Sequence, residues 1–424
     1  MICADNNLAL KDLAAMRLTS KELHAVATHE FAKRYFRDPF VMMSRESLQR
    51  LVEICKHPIF GPQVQKVQLL NNFFDPEALE TFAAEMAWAY TRTDLTRRPA
   101  AKREMKRITD LVAEQCDVIE SGAGLTLLRE TFKIIGAQGR SVAIASQRFS
   151  LSHHPIGWSE VAQDFREDNI PDLLGKPEAL LTTRSLLEAA QASGCDVTEL
   201  VIGVDCFRGS HHERSSRSTL DSSLLRNLLE FNFEFQWRSS NTYHNELAQG
   251  HLAFFLRILP QSLKTLVVCS DAEGKQDVAE AYSVSRSVCE VLRPDALKSM
   301  QPNALENIHL SKVFVRQRSL LLLLKTHSKT LKKLVLSEVY LSGDWDQVLS
   351  HIAAKFSLNH FVLQKAFKVT ETQIGPFHSV RAKIRHWYSR TCELKGTQGI
   401  CQDLNKFVEL QGAERRAKGA GIQA

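Results

Sequence analysis

The sequence predicts an α/β solenoid in which parallel strands alternate with returning helices, preceded by a short helical segment. Two observations carry that reading. A six-residue phrase, L-x-x-L-x-L with Ile308 and Phe361 each standing for a leucine, occurs three times: Leu305 to Leu310, Leu331 to Leu336 after 26 residues, and Leu358 to Leu363 after a further 27. Its fourth and sixth positions differ by two, so on a strand they share a side and the fifth faces the other way. Helical spacing then follows the first two phrases, with Leu320, Leu323 and Leu324 in Arg316–Thr326 and Val348, Leu349 and Ile352 in Asp344–Lys355.

A recurrence of about 20 to 29 residues with one strand and one helix per unit is the signature of leucine-rich repeats. A single unit cannot bury its apolar face, so the units must stack. The fifth positions, His309, Val335 and Val362, are expected to look outward.

Composition narrows the function classes. A net charge of +6 over 424 residues is a mild bias that does not imply nucleic acid. Nine cysteines, at 3, 55, 116, 195, 206, 269, 289, 392 and 401, form no C-x-x-C and no close pair. Neither a zinc site nor a disulfide framework is expected, and a reducing compartment fits better. Leu320–Leu324, the longest aliphatic run, is far short of the ~20 residues a membrane helix needs. Asp5 interrupts the N-terminus and no secretory signal is expected, which leaves cytoplasm, nucleus or both.

In chain order, Leu10, Leu13, Ala14 and Leu18 make one apolar stripe, and Thr19-x-x-Glu22 is a capping box opening a helix with Leu23, Val26 and Ala27. Ser44 caps a helix carrying Leu48, Leu51, Val52 and Cys55, which Pro58 ends. Val64 to Leu69 repeats the phrase and is expected to be the first repeat strand. Asp75-Pro76-Glu77 starts a helical-hairpin insertion at about 75–120, broken near Thr96–Pro99. Arg92 to Arg107 holds seven basic residues against two acids and no aromatics; a solvated helix face is favoured over nuclear localisation or RNA binding.

Leu125–Ile135 reads as helix, Ser141–Ala145 as a degenerate strand, Leu180–Ala192 as helix, and Val197 to Ile202 as a clear phrase. A polar Ser/Arg loop spans Arg208 to Ser223. Its His211-His212-Glu213, like His153-His154, lacks the distant ligands that a metal shell needs. Leu228 to Trp237 alternates as an aromatic-rich strand, Leu247–Leu259 is its helix, and Leu263 to Val268 is the next strand. Asp271–Met300 is an irregular helical return. Val380–Tyr388, basic and amphipathic, belongs to a C-terminal cap at 371–413, and 414–424 is expected to be a disordered tail. The repeats thus fill 44–370, after a helical segment at 1–43.

At the N-terminus a resemblance becomes specific. Leu10-Lys11-Asp12-Leu13-Ala14-Ala15-Met16-Arg17-Leu18-Thr19-Ser20-Lys21-Glu22-Leu23 resembles the second half of an F-box, as found in filamentous-fungal F-box proteins. Phe31–Phe36, Ser44–Cys55 and His57 to Pro62 resemble the segment joining that box to the repeats, and the likeness runs more loosely to about residue 370. The Leu-Pro pair and first helix that open the family's box are not among these residues, so the box is partial. The resemblance implies adaptor contact by Leu10, Leu13, Leu18 and Lys21. It also implies a Skp-family adaptor and a cullin scaffold as partners.

No catalytic constellation, nucleotide loop, metal motif or cofactor motif is present in the sequence. A non-enzymatic role is therefore expected: a substrate-recognition subunit of an SCF-type ubiquitin ligase that binds a protein on the concave repeat face. Strand geometry nominates Gln68, Val201, Val267, His309, Val335 and Val362 for that face. The alternatives are a ligase-independent repeat scaffold and an RNA-associated protein using Arg97–Arg107 and Arg381–Arg390.

Overall fold

The structure, a computed structural model, describes residues 10–74, 98–147, 155–156, 158, 174–177, 179–204, 221–235, 242–270, 292, 294–299, 305–374, 379–396 and 400–420. The chain divides into two compact units, Met1–Gly203 with His212–Leu220, and Val204–His211 with Asp221–Ala424.

The first unit opens with a helical pair, α1 (Leu10–Met16) and α2 (Lys21–Tyr35). Ser20 caps α2 by accepting the Leu23 N–H, one residue beyond the expected Thr19. Thr19 instead donates its hydroxyl to the Met16 carbonyl. The pair buries Leu13 and Ala27, with Met16 and Phe31 against them. Leu23 and Val26 of α2 are 40% and 56% exposed, and Leu18, placed by its spacing on the apolar stripe with Leu10 and Leu13, is 88% exposed.

There follow β1 (Phe40–Val41), α3 (Arg45–Lys56, capped by Ser44), β2 (Lys66–Leu70), β3 (Asn72–Phe74), α4 (Arg98–Glu120), α5 (Ala123–Ala137), β4 (Val142–Gln147), β5 (Leu174–Pro177), α6 (Ala179–Ala192) and β6 (Val197–Val204). Strands pair in the parallel order β1, β2, β4, β6, so the first strand is Phe40–Val41, one earlier than the phrase at Val64 suggests. Two residues are too few to show an alternating pattern. Val67, Ile144 and Leu200 stand in register and are fully buried, while α3 packs on α5 and α5 on α6.

Two side chains tie this unit together. Asn71, just past β2, gives its backbone N–H to the Gln147 carbonyl at 2.7 Å and its side-chain amide to the Gly203 carbonyl at 2.6 Å. One residue thus joins the ends of β2, β4 and β6. Arg140 donates to the carbonyls of Gly61, Pro62 and Val64. Gly61 is required there because a Cβ would run into the Cys55 carbonyl. Of the expected hairpin insertion, α4 is the second helix, and 75–97 lie outside the described residues, as do His153-His154 and His211-His212-Glu213.

The second unit contains β7 (Glu230–Phe235), α7 (Thr242–Ile258), β8 (Thr265–Ser270), α8 (Pro294–Ser299), β9 (Asn307–Ser311), β10 (Phe314–Arg316), α9 (Gln317–Thr326), β11 (Lys333–Ser337), β12 (Tyr340–Ser342), α10 (Trp345–Lys355), β13 (His360–Ile374), β14 (Ser379–Lys395) and α11 (Ile400–Ala420). β7, β8, β9, β11 and β13 pair in parallel without a slip. Phe231, Leu266, Ile308, Leu334 and Phe361 therefore stand side by side, and all five are buried. Each such side chain is worth about 1.5–3 kcal/mol of burial, which only the neighbouring repeat can supply.

One residue after β9, one after β11 and one within β13 have positive φ: Lys312 at 52°, Glu338 at 53° and Lys365 at 48°. The left-handed turn sends the chain into a second short strand, giving the parallel set β10, β12 and the C-terminal half of β13. This conformation costs L-residues roughly 1–2 kcal/mol. It is offset by the Lys312 N–H donating to the Ser337 carbonyl, the Glu338 N–H to the Gln364 carbonyl, and the Lys365–Glu338 ion pair at 2.6 Å.

Hydroxyls just before the phrase add a further tie. Thr330 donates to the Leu305 carbonyl and Ser262 to the Leu228 carbonyl, each reaching the start of the preceding repeat.

The C-terminal end departs from expectation. Val380–Tyr388 lies inside β14, which returns antiparallel along all of β13, and α11 continues to Ala420 through residues expected to be disordered. Trp345, fully buried at the start of α10, donates its indole N–H to the Phe367 carbonyl and lies 5.8 Å from Trp387. α11 packs on α10, and Phe407 meets Tyr388 edge-on at 4.9 Å.

Candidate functional site

The five parallel strands of the second unit bury every other residue, and the residues between them form a face of three ranks. The central rank is Asn232, Val267, His309, Val335 and Val362, Cα-paired strand to strand. One flanking rank is Glu230, Thr265, Asn307, Lys333 and His360; the other is Glu234, Cys269, Ser311, Ser337 and Gln364. These fifteen side chains are half-buried, apart from the exposed Lys333, whereas the alternate positions of the same strands are buried.

Hydrogen bonds hold the ranks. Asn307 donates its amide to Thr265 Oγ1 at 3.0 Å, Asn232 to Glu230 Oε1 at 3.1 Å, and the Ser337 hydroxyl to Gln364 Oε1 at 3.1 Å. β14 extends the face, with His360 Nε2 3.0 Å from Glu393 Oε1 and Lys395 Nζ 2.9 Å from the same oxygen. Those two partners, Lys395 foremost, hold the Glu393 carboxyl below its usual range. His309 is pushed down from the ordinary imidazole value, first by burial and then by the Lys333 charge. Both causes favour the neutral ring, which offers one N–H donor and one acceptor nitrogen.

Glu230 and Glu234 place acids on β7, Lys333 places a cation on β11, and Val267, Val335 and Val362 of the central rank lie between mostly polar flanking residues. The face thus has a largely apolar centre and a polar rim. Among the described residues, no three His, Cys, Asp or Glu converge as metal ligands, and no helix is long and apolar enough to cross a membrane.

No protein-family model matches the chain, and no curated protein matches it. The structure itself therefore carries the placement of each nominated residue.

Val267, His309, Val335 and Val362 occupy one unbroken rank, as their common place in the phrase predicts. Gln68 and Val201 belong to the first unit, in one rank with Ala145 between them. Val201 is only 3% exposed and Ala145 is fully buried, so this pair does not present a binding surface; the expectation for Val201 is corrected. The physical reason is that β4 and β6 are buried on both sides, and two-sided burial removes the inside–outside alternation. Gln68 remains accessible and donates to the Asp38 carbonyl. The flanking ranks were not nominated from sequence, although they lie two residues to either side of the central one, where the same period places them.

Of the adaptor candidates, Leu10 opens α1 and Leu13 is buried against Ala27. Leu18 is 88% exposed, and Lys21 is exposed at the start of α2. Leu13 thus serves the interior of the helical pair, and the accessible apolar residues there are Leu18, Leu23 and Val26. Arg17 braces the pair, donating from Nε to Thr28 Oγ1 and lying 4.7 Å above the Phe31 ring.

Proposed function

We propose that this chain is a protein-recognition subunit: the outward face of the second unit grips a protein substrate, and the N-terminal helices carry it to a Skp-family adaptor and cullin scaffold for ubiquitylation. The observation behind the recognition half is the five-strand rank from Asn232 to Val362, with its apolar centre and hydrogen-bonding rim. The attachment half rests on the likeness of Leu10 to Leu23 to half an F-box, and it is helped by the exposure of Leu18, Leu23 and Val26. Three exposed apolar side chains in so short a segment suit a helical partner surface.

The test is affinity capture of the full chain from its own cells, beside the variants L18E/V26E and V335D/V362D. Adaptor and cullin should accompany the wild type and the face variant but not the helix variant. Substrate should accompany the wild type and the helix variant but not the face variant. Wild-type capture without any adaptor would remove the ligase half and leave the second reading, a ligase-independent scaffold. The burial of Leu13 favours that second reading, because it removes one of the contacts implied by the resemblance.

A further inference from the structure

The excess positive charge of the chain is concentrated in one hairpin. Residues 360–395 hold seven Lys and Arg against two Asp and Glu, a net of +5, when the whole chain has +6. The pairing of β13 with β14 sets Lys368 opposite Arg385, Thr370 opposite Lys383 and Thr372 opposite Arg381. Directly opposed residues share a side of a sheet, so these six positions form one rank pair with four cations and no acid. On β13, Lys368 and Thr370 are exposed, while Phe367 and Val369 between and beside them are buried.

The acid of this segment of β13, Glu371, is paired with Ala382 and stands at a position of opposite parity. Among the described residues, β14 pairs with β13 and with no other strand.

We propose that this basic side and outer edge of the β13–β14 hairpin dock an extended acidic peptide of a protein partner. A peptide added along β14 would form backbone hydrogen bonds with that edge, a mode in which main-chain pairing supplies affinity and alternate side chains supply specificity. Acidic residues at every second position of such a strand recur at about 6.6–6.8 Å, the same step that separates Arg381, Lys383 and Arg385. The aromatic residues of β14 do not favour a nucleic acid instead. Trp387 is buried and Tyr388 is packed on Phe407, so neither supplies the stacking platform that single-stranded binding uses.

The experiment is fluorescence anisotropy on the full chain with three labelled probes: an alternating Glu-Thr dodecapeptide, its Lys-Thr counterpart, and a mixed-sequence single-stranded RNA dodecamer. The acidic peptide should bind, the basic peptide should not, and RNA should bind more weakly than the acidic peptide. R381Q/K383Q/R385Q should weaken the acidic peptide about tenfold, as expected for the loss of three charge pairs. The single variant K368Q, at an exposed position, should weaken it by about two- to threefold and serves if the triple variant does not fold. Amide exchange across 379–395 should slow when the peptide is present. Tighter binding of RNA than of the acidic peptide, absence of peptide binding, or peptide binding unchanged in the folded variants would each overturn the proposal. Unslowed exchange across β14 would do the same.

Discussion

The two units use the same parallel pairing to opposite ends. In the first, β4 and β6 are buried almost throughout, and one clamp, Asn71, ties the ends of three strands. In the second, β7, β8 and β9 alternate strictly between buried and half-buried, and the Ser262 and Thr330 hydroxyls each reach the start of the preceding repeat. Left-handed turns differ as well. The first unit uses Gly122, Gly139 and Gly194, and the second places Lys312, Glu338 and Lys365 in the same region of backbone space. A sheet covered on both sides is purely structural, while a sheet covered on one side has residues to spare for recognition.

The largest test of this difference is a matched pair of substitutions at equivalent places in the phrase. Val201→Asp should cost about 3–5 kcal/mol in urea unfolding, the price of an uncompensated buried charge, whereas Val335→Asp should stay within about 1 kcal/mol. Equal losses at both sites would erase the distinction between the sheets.

The turns should respond in opposite directions. Gly194→Ala, at φ 65°, should destabilise by about 1 kcal/mol, and Lys312→Gly should stabilise by about 0.5–1 kcal/mol, both read from thermal or urea midpoints. Asp344 accepts the Asp346 N–H as the cap of α10, so Asp344→Ala should cost about 1 kcal/mol.

The smallest effect is a pH dependence. His309 and His351 both titrate below the ordinary 6.5, burial being the first cause in each case. The unfolded chain therefore takes up protons first as the pH falls, so stability is full above about pH 6.5 and declines as pH drops through the lowered values. A lower urea midpoint at pH 5 than at pH 7.5 is expected, with part of the difference abolished by His309→Asn. A midpoint that rises on acidification would contradict the sign.

Much of the second unit was legible in the residues. The phrases at Leu305, Leu331 and Leu358 fall into exact mutual register because each repeats the same burial demand, and the outward rank follows from counting by two. Ser44 and Asp344 cap as their side chains allow.

Other features had no local signal. The left-handed residues are Lys and Glu, which do not advertise positive φ as glycine does, so the short strands β10 and β12 were not anticipated. The long antiparallel return of β14 depends on partners across the hairpin, and its alternation of Arg, Lys and Ile reads equally as an amphipathic helix. Val201 looks outward by its place in the phrase, and only tertiary cover buries it. Leu18, on the apolar stripe by its spacing, is exposed, because α1 ends at Met16 and the pair's core closes over Leu13 and Ala27.

The left-handed residues have a final consequence. Lys312, Glu338 and Lys365 mark equivalent joints, so a cut after one and after the next removes a complete unit and leaves ends of matching direction. Growth or shrinkage of the second unit by whole units would leave each surviving joint intact. It would change the width of the outward face in steps of one strand spacing, about 4.7–4.9 Å. The extent of that face is thus set by copy number, an adjustment that duplication or deletion can make without redesigning any single turn.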